Sequence, residues 1–211
     1  KSRNQQCYQV VIHIADYCLT THMLSIVMST LSKTPKDIVF WNAFCPSPKT
    51  EFVPAVMYRT IGPYKLAHTL RNNDVSVQVV DFVTLMTEDE LFELTVKFID
   101  NTTTCLAIST TYLLDAITNF AFDTKLAAVI NRITDQYPNL NIMFGGYGIG
   151  MLKKDLHLLN KKQFVFVSQY GEDIIVELVQ YLMGRGRRPR FEIESDPTLS
   201  KTIHVYSTPA V

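Results

Sequence analysis

The chain has 211 residues, 47% of them hydrophobic and 19% charged, so it can bury one sizeable core and its composition excludes a disordered protein. Its 20 basic and 20 acidic residues balance, which excludes a net field that attracts nucleic acid or anionic lipid; such a partner needs a local patch. The cysteines form no CxxC or CxxxCxxC spacing, which argues against a disulfide framework, a zinc knuckle or a self-contained iron–sulfur site and indicates reduced thiols in the cytoplasm.

Residues 1–36 are predicted to form an N-terminal helical extension that docks on the main domain or on a partner. The stretch 8–31 is strongly apolar, but His13, Asp16 and His22 within it argue against a membrane span. The same three side chains are spread over more than one helical face, so packing or solvation explains them better than metal ligation.

Between Asp37 and Gly184, apolar runs of strand length alternate with helical patterns. The predicted strands are 37–44, 75–82, 104–109, 140–144 and 164–167. The predicted helices are 61–70, 87–99, 126–133 and 172–183. Parallel strands need helical crossovers, so this alternation predicts an α/β protein with an open, parallel, five-stranded sheet and helices on both faces.

Two helix ends carry recognisable signals. Thr87 and Glu90 have the spacing of a capping box, which begins the second helix. Gly184 follows the last helical pattern and is expected to end that helix.

Two of the predicted strands end abruptly in hydroxyl side chains or glycine. The third strand ends in Ser109-Thr110-Thr111, and the fourth ends in Gly145-Gly146-Tyr147. Ligands of open parallel sheets bind beyond the carboxyl ends of the strands, so these endings predict a binding site. Two alternatives stay open: Ser109 caps the next helix, or the glycines form a tight turn.

The order of the loops resembles the cobalamin-binding domain of B12-dependent radical S-adenosylmethionine (SAM) enzymes, over roughly residues 37–184. The matching segments are the loop Arg59–Ala67, the two strand endings above and Gln169–Asp173. The resemblance implies a Rossmann-like, flavodoxin-type open parallel sheet, with a corrin ring over the strand ends and a nucleotide tail beside the sheet. It implies cofactor-binding roles for Arg59, Thr60, Gly62, Ser109, Thr110, Gly145, Gly146, Tyr147, Gly171 and Glu172.

One departure from the wider corrinoid pattern concerns the residue below cobalt. Methionine-synthase-like domains carry Asp-x-His-x-x-Gly; if Gly62 is the matching glycine, Met57 and Arg59 stand at the aspartate and histidine positions. The resemblance therefore implies cobalamin without a protein histidine on cobalt, and His68 is interpreted as a surface histidine. Arg59 either neutralises a ligand phosphate or is a solvated loop charge.

The implied function is that of a cobalamin-binding module that is not catalytic on its own. SAM, the iron–sulfur cluster and the methyl transfer or radical chemistry are then expected in a domain or subunit outside this chain, of which the chain is a fragment. The alternative is a domain that kept the fold, lost the cofactor and serves in docking or substrate recognition through the loop 45–58 and the basic run 185–190.

Residues 185–211 are predicted to be an arm or linker toward that missing domain or partner. Its basic residues are Arg185, Arg187, Arg188 and Arg190. They are interpreted as a solvated connector, with an RNA or phosphate contact as the alternative.

Other ligands fit the sequence less well. Cys45-Pro-Ser-Pro48 follows the first strand and offers neither the glycines of a dinucleotide site nor a phosphate loop for flavin. The end of that strand also lacks the acidic residues of a phospho-receiver, and a Walker sequence is absent from the chain. Cys45 is interpreted as a bystander thiol.

Overall fold

The structure, a computed structural model, describes residues 32–46, 57–59, 61–84, 86–111, 124–146, 153–160, 164–168, 171–187, 189, 193–196 and 202–206. These residues belong to one unit that begins at Ser32. The predicted N-terminal extension, including His13, Asp16 and His22, therefore lies outside the described residues except for positions 32–36.

A seven-stranded sheet occupies the centre of the described structure. The described strands are, in chain order, β1 (Ile38–Asn42), β2 (Phe44–Pro46), β3 (Met57–Arg59), β4 (Val77–Asp81), β5 (Cys105–Ser109), β6 (Asn141–Gly145), β7 (Phe164–Ser168), β8 (Ile193–Asp196) and β9 (Thr202–Tyr206). The large sheet has the order β4-β1-β5-β6-β7-β9-β8, while β2 and β3 pair only with each other. Strands β4, β1, β5, β6 and β7 are mutually parallel, which confirms the predicted five-stranded sheet.

Helices connect the parallel strands. The described α-helices are α1 (Gly62–Arg71), α2 (Glu88–Val96), α3 (Thr124–Gln136) and α4 (Ile175–Leu182), with short 3₁₀ helices at Lys153–Leu158 and Gly171–Asp173. The predicted capping box begins α2: the Thr87 hydroxyl accepts from the Glu90 amide, and the Glu90 carboxylate accepts from the Thr87 amide. Gly184 follows α4 with a φ of +70°, as the predicted helix end requires.

The helices cover both faces of the sheet, as the sequence predicts. Ala67 and Leu70 of α1 join Leu178 and Val179 of α4 in one core cluster, together with side chains that alternate along the strands, such as Phe40. On the opposite face, α2 packs against α3. There the Trp41 indole N–H of β1 donates to the Thr95 hydroxyl of α2 at 3.0 Å.

The segment that the sequence predicts to be an arm contributes two strands to the sheet. Strand β9 pairs parallel with β7, so that Tyr206 lies beside Ser168, and β8 pairs antiparallel with β9. Strand β9 alternates polar and apolar residues, a pattern typical of a strand with one wet face, and β8 is mostly polar. The sheet therefore extends two strands beyond the predicted five.

Candidate functional site

The strand order places a topological switch point beside β1. Numbered by their order in the sequence, the parallel strands β1, β4, β5, β6 and β7 are arranged 2-1-3-4-5 across the sheet. The chain therefore runs outward from β1 to β4 and then crosses back over β1 to β5. In sheets of this type the ligand crevice lies beyond the carboxyl ends of the two strands at the switch point, here β1 and β5. The predicted endings of the third and fourth strands therefore lie at or next to this crevice.

Four small or polar residues form a row at this carboxyl edge, on the sheet face that α1 and α4 cover. Register pairs Asp81 with Asn42 and Ser109 with Gly145, and Asn42 follows the pair Trp41–Ile108. Along each strand, the row residue lies an even number of positions from the strand residues that belong to the core cluster of α1 and α4. Because side chains alternate between the two faces of a sheet, all four positions lie on the face that this cluster occupies. We call Asp81, Asn42, Ser109 and Gly145 the edge row.

The hydroxyls that follow β5 have different roles. Ser109 is half-buried, and within the described part of the chain its hydroxyl makes no hydrogen bond. Thr110 is 2% exposed, and both its amide and its hydroxyl donate to the Gly145 carbonyl, at 2.7 and 3.1 Å. Thr110 therefore joins the ends of β5 and β6, while Ser109 keeps a donor for a ligand.

The adjacent glycines also differ. A Cβ built on Gly145 comes within 4 Å only of Val167 among the described residues, at 3.8 and 3.9 Å, which is ordinary contact. Gly146 has a φ of +109°, and a Cβ there would lie 2.7 Å from the Thr111 hydroxyl oxygen. The space beside Gly146 is therefore taken by the protein itself, whereas the sheet surface at Gly145 has room.

The turn after β7 closes one side of this surface. A Cβ on the buried Gly171 would lie 3.5 Å from Val167 and 3.7 Å from Leu66, so this turn packs between β7 and α1. Nearby, the Lys65 ammonium lies 3.7 Å from the Glu172 carboxylate. Glu172 thus pairs with a lysine of α1 at the mouth of the crevice, in an exposed ion pair that adds little stability.

The remaining predicted residues belong to the loop between β1 and α1 or to the loop after β6. Arg59 is the last residue of β3, and its backbone pairs with Phe44; its side chain is outside the described structure. Gly62 begins α1 and is exposed, with no described atom within 4 Å of an added Cβ. Thr60 and Tyr147 lie outside the described residues.

Sequence reasoning missed a polar cluster at the same edge. The Asn42 amide donates to one oxygen of the Asp81 carboxylate at 2.9 Å, and the Tyr64 hydroxyl of α1 donates to the other. The available signal was a polar residue at the end of an apolar strand, which Asn42 and Asp81 share with Ser109. His68, on the same helix, is exposed and contacts Asn72, which fits its interpretation as a surface histidine.

Other charged groups lie away from the crevice. Helix α4 begins at the carboxyl end of β7 and runs back along the sheet. The exposed Arg185 and Arg187 follow this helix, toward the amino edge of the sheet, where the parallel strands begin. The turn before β5 lies at that amino edge and contains Asp100. Hydrogen bonds from the Thr102 hydroxyl and amide hold the pKa of Asp100 below its ordinary value.

The described residues contain no group of three or more histidine, cysteine or acidic side chains arranged to hold a metal ion. The thiol of Cys105 is buried and lies in the core cluster that α1 and α4 form with the sheet. Within the same part of the chain, none of the helices has the length and hydropathy needed to cross a membrane.

Comparison of the chain with protein-family models, with curated proteins and with solved structures finds no match.

Proposed function

We propose that residues 37–184 bind cobalamin at the carboxyl edge of the sheet, as the cofactor module of a B12-dependent radical SAM enzyme of the methyltransferase type. The observation that carries the proposal is the coincidence of the switch point with the edge row. Ser109 offers a half-buried hydroxyl at that point, and Gly145 leaves room on the adjacent sheet surface, where an added Cβ would make only ordinary contact with Val167. A long, polar nucleotide tail needs such a hydroxyl beside an open backbone surface.

Within this proposal the predicted site residues divide by role. Ser109 would hydrogen-bond the tail, and Gly145 and Gly62 would let it approach the backbone. Thr110 and Gly146 instead shape the site, because their hydroxyl and their Cβ space are taken up by contacts within the protein. Gly171 and Glu172 would act at the wall next to α1.

The chemistry belongs to the whole enzyme. Bound cobalamin supplies a cobalt centre that carries methyl groups or takes part in radical reactions. The chain contains no CxxxCxxC segment, so we assign the iron–sulfur cluster and SAM to another domain or subunit. We assign the enzyme to the cytoplasm because its widely spaced cysteines favour reduced thiols. This module would hold and orient the cofactor without a histidine on cobalt.

A second candidate is a docking module that retains the fold without the cofactor. The engagement of Thr110 and Gly146 by the protein's own backbone and side chains favours it, because two of the predicted ligand contacts then have a purely structural explanation. Its surfaces would be the loop 45–58 and the basic run, of which Arg185 and Arg187 are exposed.

Binding of hydroxocobalamin separates the two candidates. The purified chain is mixed with micromolar hydroxocobalamin, passed through a desalting column and examined for corrinoid absorbance. We expect retention by the wild-type chain and its loss in Gly145→Val, because a branched side chain fills the surface that the tail would use. The same substitution should leave stability unchanged or raise it by up to about 1 kcal/mol, since valine suits a strand better than glycine.

Ala128→Val, at an exposed position of α3, is the control for added aliphatic bulk and should retain cobalamin. Absence of binding by the wild-type chain would favour the docking module. Retention by a folded Gly145→Val variant would remove Gly145 from the site.

A further inference from the structure

A part-buried polar cluster joins helix α1 to the sheet at the edge row. Asn42 is 1% exposed at the end of β1, and its amide donates to the Asp81 carboxylate at 2.9 Å. The other carboxylate oxygen accepts from the Tyr64 hydroxyl, which lies in the first turn of α1. One carboxylate therefore joins β1, β4 and α1, and hydrogen bonds to a charged acceptor are stronger than neutral ones.

The backbone turns sharply immediately after this carboxylate. Phe82 has a φ of +60° and is 8% exposed, although a bulky residue rarely adopts the left-handed conformation. Such conformations persist where the surroundings determine them strongly, and they are enriched at ligand sites. Here the surroundings include the described hydrogen bonds of the Asp81 carboxylate and the packing that buries Phe82.

Backbone hydrogen bonds connect the same cluster to the residues at the rim of the crevice. The Ile61 carbonyl accepts from the amides of Tyr64 and Lys65, so the start of α1 moves with Tyr64. Ile61 is 72% exposed, and the neighbouring Gly62 is exposed as well. Ile61 and Gly62 lie where the connection from the carboxyl end of β1, which contains β2 and β3, enters α1.

We propose that Tyr64 is a positioning residue for the cofactor site: its bond to Asp81 holds the first turn of α1, and hence the rim at Ile61 and Gly62, in the conformation that receives cobalamin. The proposal rests on the proposed function for the identity of the ligand. A rim held in place before binding loses less conformational freedom when the ligand arrives, so the bond should raise affinity without touching the ligand.

Amide hydrogen exchange on the ligand-free protein tests the first half of the proposal. In Tyr64→Phe we expect about tenfold faster exchange at Lys65 and Leu66, with exchange in β5 and β6 unchanged. Tyr181→Phe is the matched control, because Tyr181 lies on α4 and its hydroxyl makes no hydrogen bond within the described part of the chain. Equal exchange in wild type and Tyr64→Phe would overturn the proposal.

Cobalamin affinity tests the second half. Tyr64→Phe and Asp81→Asn should each weaken hydroxocobalamin binding about tenfold, because both changes disrupt the bond between Tyr64 and Asp81. Asp81→Asn also alters the acceptor of the Asn42 amide, so the double variant should bind no more weakly than the weaker single variant. Asp81→Asn also serves if Tyr64→Phe does not fold. Additive losses, or faster exchange with unchanged affinity, would overturn the positioning role.

The two proposals fail in distinguishable ways. If the wild-type chain does not bind hydroxocobalamin, the proposed function is overturned together with the ligand assigned to the rim. The exchange data then still decide whether Tyr64 holds the first turn of α1.

Discussion

Two adjacent glycines at the end of β6 show that identical residues can serve different purposes. Gly145 has ordinary strand geometry and room for a Cβ, whereas Gly146 has a positive φ and lies against Thr111. From the sequence, both glycines were predicted to make room for a ligand. The close approach at Gly146 comes from a loop 35 residues earlier in the chain, so sequence reasoning had no means of separating the pair.

Alanine substitutions at these positions should separate the two roles. Gly146→Ala is expected to lower the free energy of unfolding by about 2–4 kcal/mol, because it combines an unfavourable φ with a contact of 2.7 Å. Gly145→Ala should be neutral or stabilising by up to about 1 kcal/mol. Urea unfolding of both variants measures the difference, and equal effects would contradict the assignment.

At the level of elements, local pattern was sufficient for the strands and helices of the parallel sheet. The burial of every residue of β1 matches the continuous apolar run that predicts a strand covered on both faces. The capping box at Thr87 was also readable, because its two partners are three residues apart. Strands β8 and β9 were not, because β9 joins the sheet by pairing with β7, which lies far from it in sequence, and the polar β8 joins by pairing with β9.

The polar cluster of Asn42, Tyr64 and Asp81 shows that local sequence patterns reach the same limit at the candidate site. Its hydrogen bonds join residues 17 and 39 positions apart, so no local spacing records them. Ser109 and Gly145 were found because each ends its own strand. The sequence was therefore sufficient to predict which edge of the sheet holds the candidate site. It was not sufficient to predict which residues of that edge contact one another and which have room for a ligand.

The capping box gives a prediction at this level. Thr87→Ala removes the hydroxyl that bonds to the Glu90 amide and carboxylate, and we expect a loss of about 1 kcal/mol in the free energy of unfolding. Thr87→Ser keeps the hydroxyl and should lose much less. Urea unfolding measures both variants; similar losses in the two would show that the hydroxyl is not responsible.

Considered as a whole, the described molecule is a parallel sheet whose margin is built by the predicted arm. Strand β9 covers the outer edge of β7, which would otherwise present unpaired backbone groups next to the candidate site. The boundary at Gly184 suggested by the sequence therefore cuts through the folded unit.

Truncation after Gly184 tests this conclusion. We expect the shortened chain to associate through the uncovered edge of β7 and to elute earlier in size-exclusion chromatography than a chain ending at Tyr206. Amide exchange in β7 should also accelerate, since its outward amides lose their acceptors on β9. Identical elution and exchange for the two chains would argue that β9 contributes nothing to the edge.

The pairing of Tyr206 with Ser168 has a practical consequence for reporter design. Because β9 runs parallel to β7, a fluorophore attached just after Tyr206 would lie at the carboxyl edge of the sheet, which contains the candidate site. A corrin ring bound as proposed would absorb its emission and quench it. A fluorophore at the exposed Arg185 would lie toward the amino edge of the sheet, away from the candidate site. Comparing the quenching of these two singly labelled proteins would therefore show at which edge of the sheet a coloured ligand binds.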